Sequence, residues 1–84
     1  MIYRLELAKK AQKDIQKLDD NVKIRIYKCF SILSHNPFAG KKLKGNLKNQ
    51  FSIRVWPYRI IYEIYHSALL ILIIRVGHRQ GIYR

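Results

Sequence analysis

An α+β domain, with a helical hairpin packed on one face of a sheet, is predicted by three features of this chain. Apolar residues alternate with polar ones near the N-terminus and recur in three β-branched, aromatic-rich runs after Phe51. Between these lie two runs whose apolar residues recur every three or four positions. The whole chain has 84 residues, enough for one modest core and a single domain, 1–84, with no room for a separate cofactor fold. Neither repeats nor linker-like tracts mark a boundary.

Residues 2–7 read as the first strand, with Arg4 and Glu6 alternating against Tyr3, Leu5 and Leu7. Ala8, Ala11, Ile15 and Leu18 then form one stripe of an amphipathic helix whose other faces carry Lys9, Lys10, Lys13 and Lys17. Asp19, Asp20 and Asn21 break that pattern. Their side chains suit the free N–H groups and positive end of a second helix, whose buried stripe is Val22, Ile26, Phe30 and Leu33. Pro37 ends it, because the residue before a proline is pushed out of helical geometry. So short a connection makes the two helices an antiparallel hairpin.

A loop rich in Gly, Lys and Asn follows over residues 38–50. Residues 51–56, 58–65 and 69–76 are then three strands, separated by Trp56-Pro57 and by His66-Ser67-Ala68, and imply an antiparallel meander. The expected order is strand, helix, helix, strand, strand, strand, with the second sheet face open.

Seventeen Lys and Arg against five Asp and Glu give a formal net charge of +12, which points to a polyanionic partner without distinguishing RNA, DNA, membrane or acidic protein. Cys29 is the only cysteine, so an intramolecular disulfide and a cysteine-based zinc site are excluded, and a reducing cytoplasm fits best. The chain starts without a signal-peptide pattern, and the apolar run 68–74 is too short for a membrane-spanning helix. A soluble, cytoplasmic protein without membrane attachment is expected.

The turn at Trp56-Pro57 carries the main functional signal. Any symmetric even-length connection centred there sets Val55 beside Tyr58 and Arg54 opposite Arg59; because proline is unfavourable in two-residue hairpin turns, a four-residue loop over 55–58 is expected, with the same pairing. Like charges facing each other cost some tenths to about 1 kcal/mol. An anion between them reverses that sign, since guanidiniums bind phosphate oxygens through paired hydrogen bonds. Both arginines are otherwise ordinary solvated residues.

Beyond the last strand, His78, Arg79, Tyr83 and Arg84 gather. His78 can serve as acid or base, or be merely structural. Tyr83 can stack on a base, orient a phosphate or cover the sheet edge. Lys41, Lys42, Lys44, Lys48, Arg75 and Arg84 are the candidate polyanion-binding cations, and RNA-binding ones if the partner is RNA. His35, His66 and His78 lack metal-ligand spacing, and no Gly-rich loop precedes a helix, so neither metal nor nucleotide cofactor is expected. Glu63, on the parity of Arg59, reads as a charge partner rather than a base. RNA brings its own nucleophile, the 2′-hydroxyl.

The segments Leu43-Lys44-Gly45, Phe51-Ser52-Ile53-Arg54-Val55, Tyr58-Arg59-Ile60-Ile61-Tyr62 and Val76-Gly77-His78-Arg79 with Ile82-Tyr83, in that order after two helices, resemble the RelE/ParE toxin superfamily over nearly the whole chain. The resemblance implies a RelE-like fold and a metal-independent, ribosome-dependent mRNA endoribonuclease that cuts in the ribosomal A site by 2′-hydroxyl attack. It implies catalytic roles for Arg54, Arg59, Arg79 and Tyr83; beside them His78 is the better proton donor on physical grounds, since an arginine keeps its proton. RelE-like enzymes carry a lysine where this chain has Ser52, and Lys44 or Lys48 is the implied substitute. It also implies a RelB-like antitoxin partner, acidic or amphipathic, one helix of which takes the place of a C-terminal helix found in many relatives. A ParE-like poison of DNA gyrase and a non-catalytic RNA-binding module are the alternatives.

Overall fold

The computed structural model describes residues 2–43 and 49–78. Strand β1 (Arg4–Leu7) leads into α1 (Lys9–Gln16) and α2 (Asp20–His35). A 3-10 turn over Pro37–Ala39 and a two-residue strand β2 (Lys41–Lys42) precede β3 (Gln50–Val55), β4 (Tyr58–Tyr65) and β5 (Leu70–His78). The five strands lie in the order β1-β5-β4-β3-β2. All pairings are antiparallel except β1 with β5, which is parallel. The expected strand-helix-helix-meander order is therefore present, with β2 as an additional edge strand inside the segment expected to be a loop.

The helices form where the spacing predicts. Ala11 and Ile15 on α1, and Ile26, Phe30 and Leu33 on α2, are buried, with Leu18 and Val22 packed against them. Cys29 joins this core, and burial pushes its thiol from 9.0 to about 11, so it stays protonated and inert at neutral pH. Asp19 holds the N-cap position of α2, but its side chain makes no cap hydrogen bond; its backbone carbonyl instead accepts from the Lys23 amide at 2.9 Å.

From the strands, the core receives Ile60, Tyr62 and Ile64 of β4 and Ile71, Ile73 and Val76 of β5. The interval between Ile73 and Val76 is three residues rather than two because the β4–β5 register shifts at Ile61/Tyr62. This bulge absorbs Ile74 and restores Val76 to the core side. Past Ile73, where β1 no longer pairs, Asp14 of α1 takes over the β5 edge. Its carboxylate accepts the Val76 amide at 2.9 Å and binds Arg75 Nε at 2.8 Å. Among the described residues, no helix is long and apolar enough to cross a membrane.

Candidate active site

Strands β3 and β4 meet at a two-residue turn, shorter than the four-residue loop expected. The Trp56-Pro57 peptide bond is cis, the geometry in which proline fits the third position of a tight turn. The Trp56 carbonyl accepts a hydrogen bond from Arg25, which ties the turn to α2. The register is the one that the sequence requires: Val55 pairs with Tyr58 and Arg54 with Arg59.

Because side chains alternate across a strand, the row Arg54–Arg59 projects away from the core rows. It continues on β5 to Gly77, which carries no side chain. Arg54 is exposed and Arg59 half-buried, with the Arg59 Nε atom fully enclosed. The row behind it holds Ser52 and Ile61, both buried. This second face is thus a built wall rather than the fully open surface expected.

A concavity of about 430 Å³ opens on this face, lined by Ala39, Gly40, Lys41, Ser52, Ile53, Arg54 and Arg59. Lys41 enters it because β2 pairs with β3 in a register that sets Lys41 beside Ser52. The position of β2 depends on Tyr62. Its hydroxyl, reaching from the core side, donates to the Pro37 carbonyl at 2.7 Å and accepts the Gly40 amide at 3.1 Å. Burial raises the Tyr62 phenol above its ordinary value, with the Gly40 amide pulling the other way. A Cβ on Gly40 would meet both the Ser52 carbonyl oxygen and the Tyr62 hydroxyl at 2.5 Å, so only glycine passes here. Sequence reading overlooked this clamp; the available signal was a glycine beside a strand edge, which marks close backbone approach.

The remaining candidates divide. Lys42 pairs with Phe51 and by alternation belongs to the opposite face from Lys41. Arg75 is committed to Asp14, whose hydrogen bond raises its already high pKa. His78 pairs with Tyr58, one row past Arg59, and its ring lies edge-on to Tyr58 at 6.2 Å, on the helix side of the sheet. The strand does not bring it into the arginine row, because adjacent residues point to opposite faces. Arg79, Tyr83 and Arg84, like Lys44 and Lys48, lie outside the described residues.

Glu63 stands on the face of Arg59, and the hydrogen bonds it accepts from described residues come from neutral groups. It accepts from Gln50 Nε2 at 3.1 Å and from the Tyr65 hydroxyl, and that bond raises the Tyr65 phenol above its ordinary value. Among the described residues, no group of three His, Cys, Asp or Glu could hold a metal ion. The site is therefore a cationic groove lined by two arginines paired across β3 and β4 and by Lys41 one row away on β2, suited to an anionic oxygen cluster such as a phosphate.

Comparison with known proteins agrees with this architecture. A family model described as the ParE toxin of type II toxin-antitoxin systems matches residues 5–83. Toxin RelG of Mycobacterium tuberculosis is 34% identical over 86 residues, covering 100% of this chain and 99% of that protein. Among solved structures, a chain of the toxin-antitoxin complex RelBE2 from Mycobacterium tuberculosis superposes with a TM-score of 0.87 at 31% identity, covering 94% of this chain and 93% of that one. A chain of the archaeal RelE-RelB complex from Pyrococcus horikoshii OT3 gives 0.82 at 25% identity, covering 96% and 99%.

Proposed function

We propose that this chain, which belongs to the RelE/ParE superfamily of toxins of type II toxin-antitoxin systems, is a ribosome-dependent endoribonuclease that cuts mRNA in the A site. The observation that carries this reading is the direct pairing of Arg54 with Arg59 at the mouth of the groove. Two like charges set opposite each other do not help folding; they become favourable once a phosphate lies between them.

In this reading the 2′-hydroxyl of the message attacks the adjacent phosphorus in line, and the ribosome supplies the conformation that brings them together. Arg59, half-buried and fixed by its strand, stabilises the charge that develops on the phosphate oxygens, and Arg54 holds the phosphate from the exposed side. Arg79 and Tyr83 complete the set by the family resemblance. His78 is a flanking group, one row away. Since the guanidiniums supply the positive charge, the reaction requires no metal.

An antitoxin is the second partner. Ile24, Tyr27 and Ile32 are exposed on α2, with Lys23 and Lys28 beside them, a combination that an acidic amphipathic segment would cover. The family description favours one other reading, poisoning of DNA gyrase in the manner of ParE toxins.

The test is to map 5′ ends on a defined mRNA after adding the protein to translating ribosomes, with a naked-RNA control, a chelator control and a parallel gyrase-DNA assay. Cuts within A-site codons that persist with chelator are expected. Gyrase-dependent DNA breaks without RNA cuts would establish the second reading instead, and neither product would leave a binding module.

A further inference from the structure

In-line attack by a 2′-hydroxyl requires a group that removes its proton, and the groove's lining restricts what that group can be. Arg54 and Arg59 keep their protons at any working pH. Ala39, Gly40 and Ile53 offer no titratable side chain, and Ser52 offers only a buried hydroxyl. Among the described lining residues Lys41 remains, an amine that can accept and return a proton where a guanidinium cannot.

Its placement is specific. Lys41 is the direct cross-strand neighbour of Ser52, so it projects from the same face as the arginine row, which begins two residues, about 7 Å, further along β3. A strand of two residues does not hold itself in register. Here the Tyr62 hydroxyl grips Pro37 and Gly40 just before it, and the Leu43 amide donates to the Gln50 carbonyl at 2.8 Å just after it. The Gly40 backbone is pressed so closely against Ser52 that no side chain fits between them. The other charged or titratable groups on this face, among the described residues, are Glu63 and Tyr65, bound to each other, Arg4 and Glu6 of β1, paired with each other at 3.1 Å, and Arg75, drawn aside by Asp14.

We infer that Lys41 is the proton acceptor of the groove, with the Tyr62–Gly40 clamp as its positioning device; this rests on the RNA-cleavage reading above. The neutral Lys41 amine takes the proton of the 2′-hydroxyl as the O2′–P bond forms. The P–O5′ bond breaks, leaving a 2′,3′-cyclic phosphate, and the departing 5′-oxygen takes a proton from water. The Lys41 ammonium then returns its proton to solvent, so nothing is consumed.

The experiment is single-turnover cleavage of a defined mRNA on ribosomes across a range of pH, using wild type, Lys41→Ala, Lys41→Arg and, as a charge-loss control on α1, Lys13→Ala. The expected result is a loss on the order of 100-fold or more for both Lys41 variants. Lys41→Arg should keep ribosome affinity but lose the rise of rate with pH, Lys41→Ala should be partly rescued by added primary amine, and Lys13→Ala should match wild type. If Lys41→Arg cleaves within threefold of wild type with the same pH profile, Lys41 supplies charge only and the inference is overturned while the RNA-cleavage reading stands. If wild type itself does not cleave, both fall together.

Discussion

The two faces of the sheet share the same strands and differ only in which alternate residues they receive. On the helix side, Ile60 with Val76, Tyr62 with Ile73 and Ile64 with Ile71 form apolar cross-strand rows that meet α1 and α2. On the other side, the rows are Ser52 with Ile61 and Arg54 with Arg59, one a wall and one a charged rim. The first face selects the fold, because burying apolar surface is what a small chain needs to be stable. The second tolerates an unfavourable charge pair because the first supplies the stability. Changes on one face should therefore alter stability and changes on the other should alter chemistry.

The largest break should come from the helix side. Phe30→Ala or Ile15→Ala is expected to destabilise the fold by roughly 2 to 5 kcal/mol, read from denaturant midpoints; unchanged melting would mean that the helical stripe is not the core. On the opposite face, Arg59→Ala should leave melting intact while removing about 3 kcal/mol of transition-state stabilisation, more than 100-fold in cleavage rate. Full toxicity of Arg59→Ala in cells would remove the phosphate clamp from the mechanism.

Tyr62→Phe sharpens the division, because its ring belongs to one face and its hydroxyl serves the other. It should cost about 1 to 3 kcal/mol by stranding the Pro37 carbonyl and Gly40 amide, and should also slow cleavage by loosening β2. A purely thermodynamic effect, with the rate preserved, would separate the clamp from the groove.

The smallest effect is alkaline. The Cys29 thiol has a higher pKa folded than unfolded, 9.0 rising to about 11. Its contribution is therefore complete below pH 9 and is lost as pH climbs toward 11. Melting temperature should decline across that window, and Cys29→Ala should flatten the decline. An equal slope in the variant would assign it to other groups, Tyr62 first.

Much of this was legible from local patterns. The three- and four-residue spacing located Ile15, Ile26, Phe30 and Leu33, and the symmetry of a turn at Trp56-Pro57 paired Arg54 with Arg59 whether the connection had two residues or four. His78, expected just beyond the last strand, instead ends β5 and pairs with Tyr58, because the length of a strand is set by pairing between segments rather than by local pattern. Arg75 looked like a free cation because its partner, Asp14, is 61 residues away. The bulge at Ile74 had one local sign, Arg75 standing in phase with the core residues Ile71 and Ile73, but the apolar run 68–74 does not show where the slip falls. Lys42 and Lys41 looked equivalent until β2 formed and sent them to opposite faces.

By itself, then, the order of residues determined the elements, their apolar faces and the cationic excess, because these depend on periodicity and charge within a few neighbouring positions. Only the tertiary structure decided that β1 joins β5 in parallel, that Gly40 and Tyr62 pin a two-residue strand, and that Lys41 lines the same groove as two arginines. Those outcomes depend on backbone hydrogen bonds and excluded volume between segments far apart in the chain, which no local pattern records.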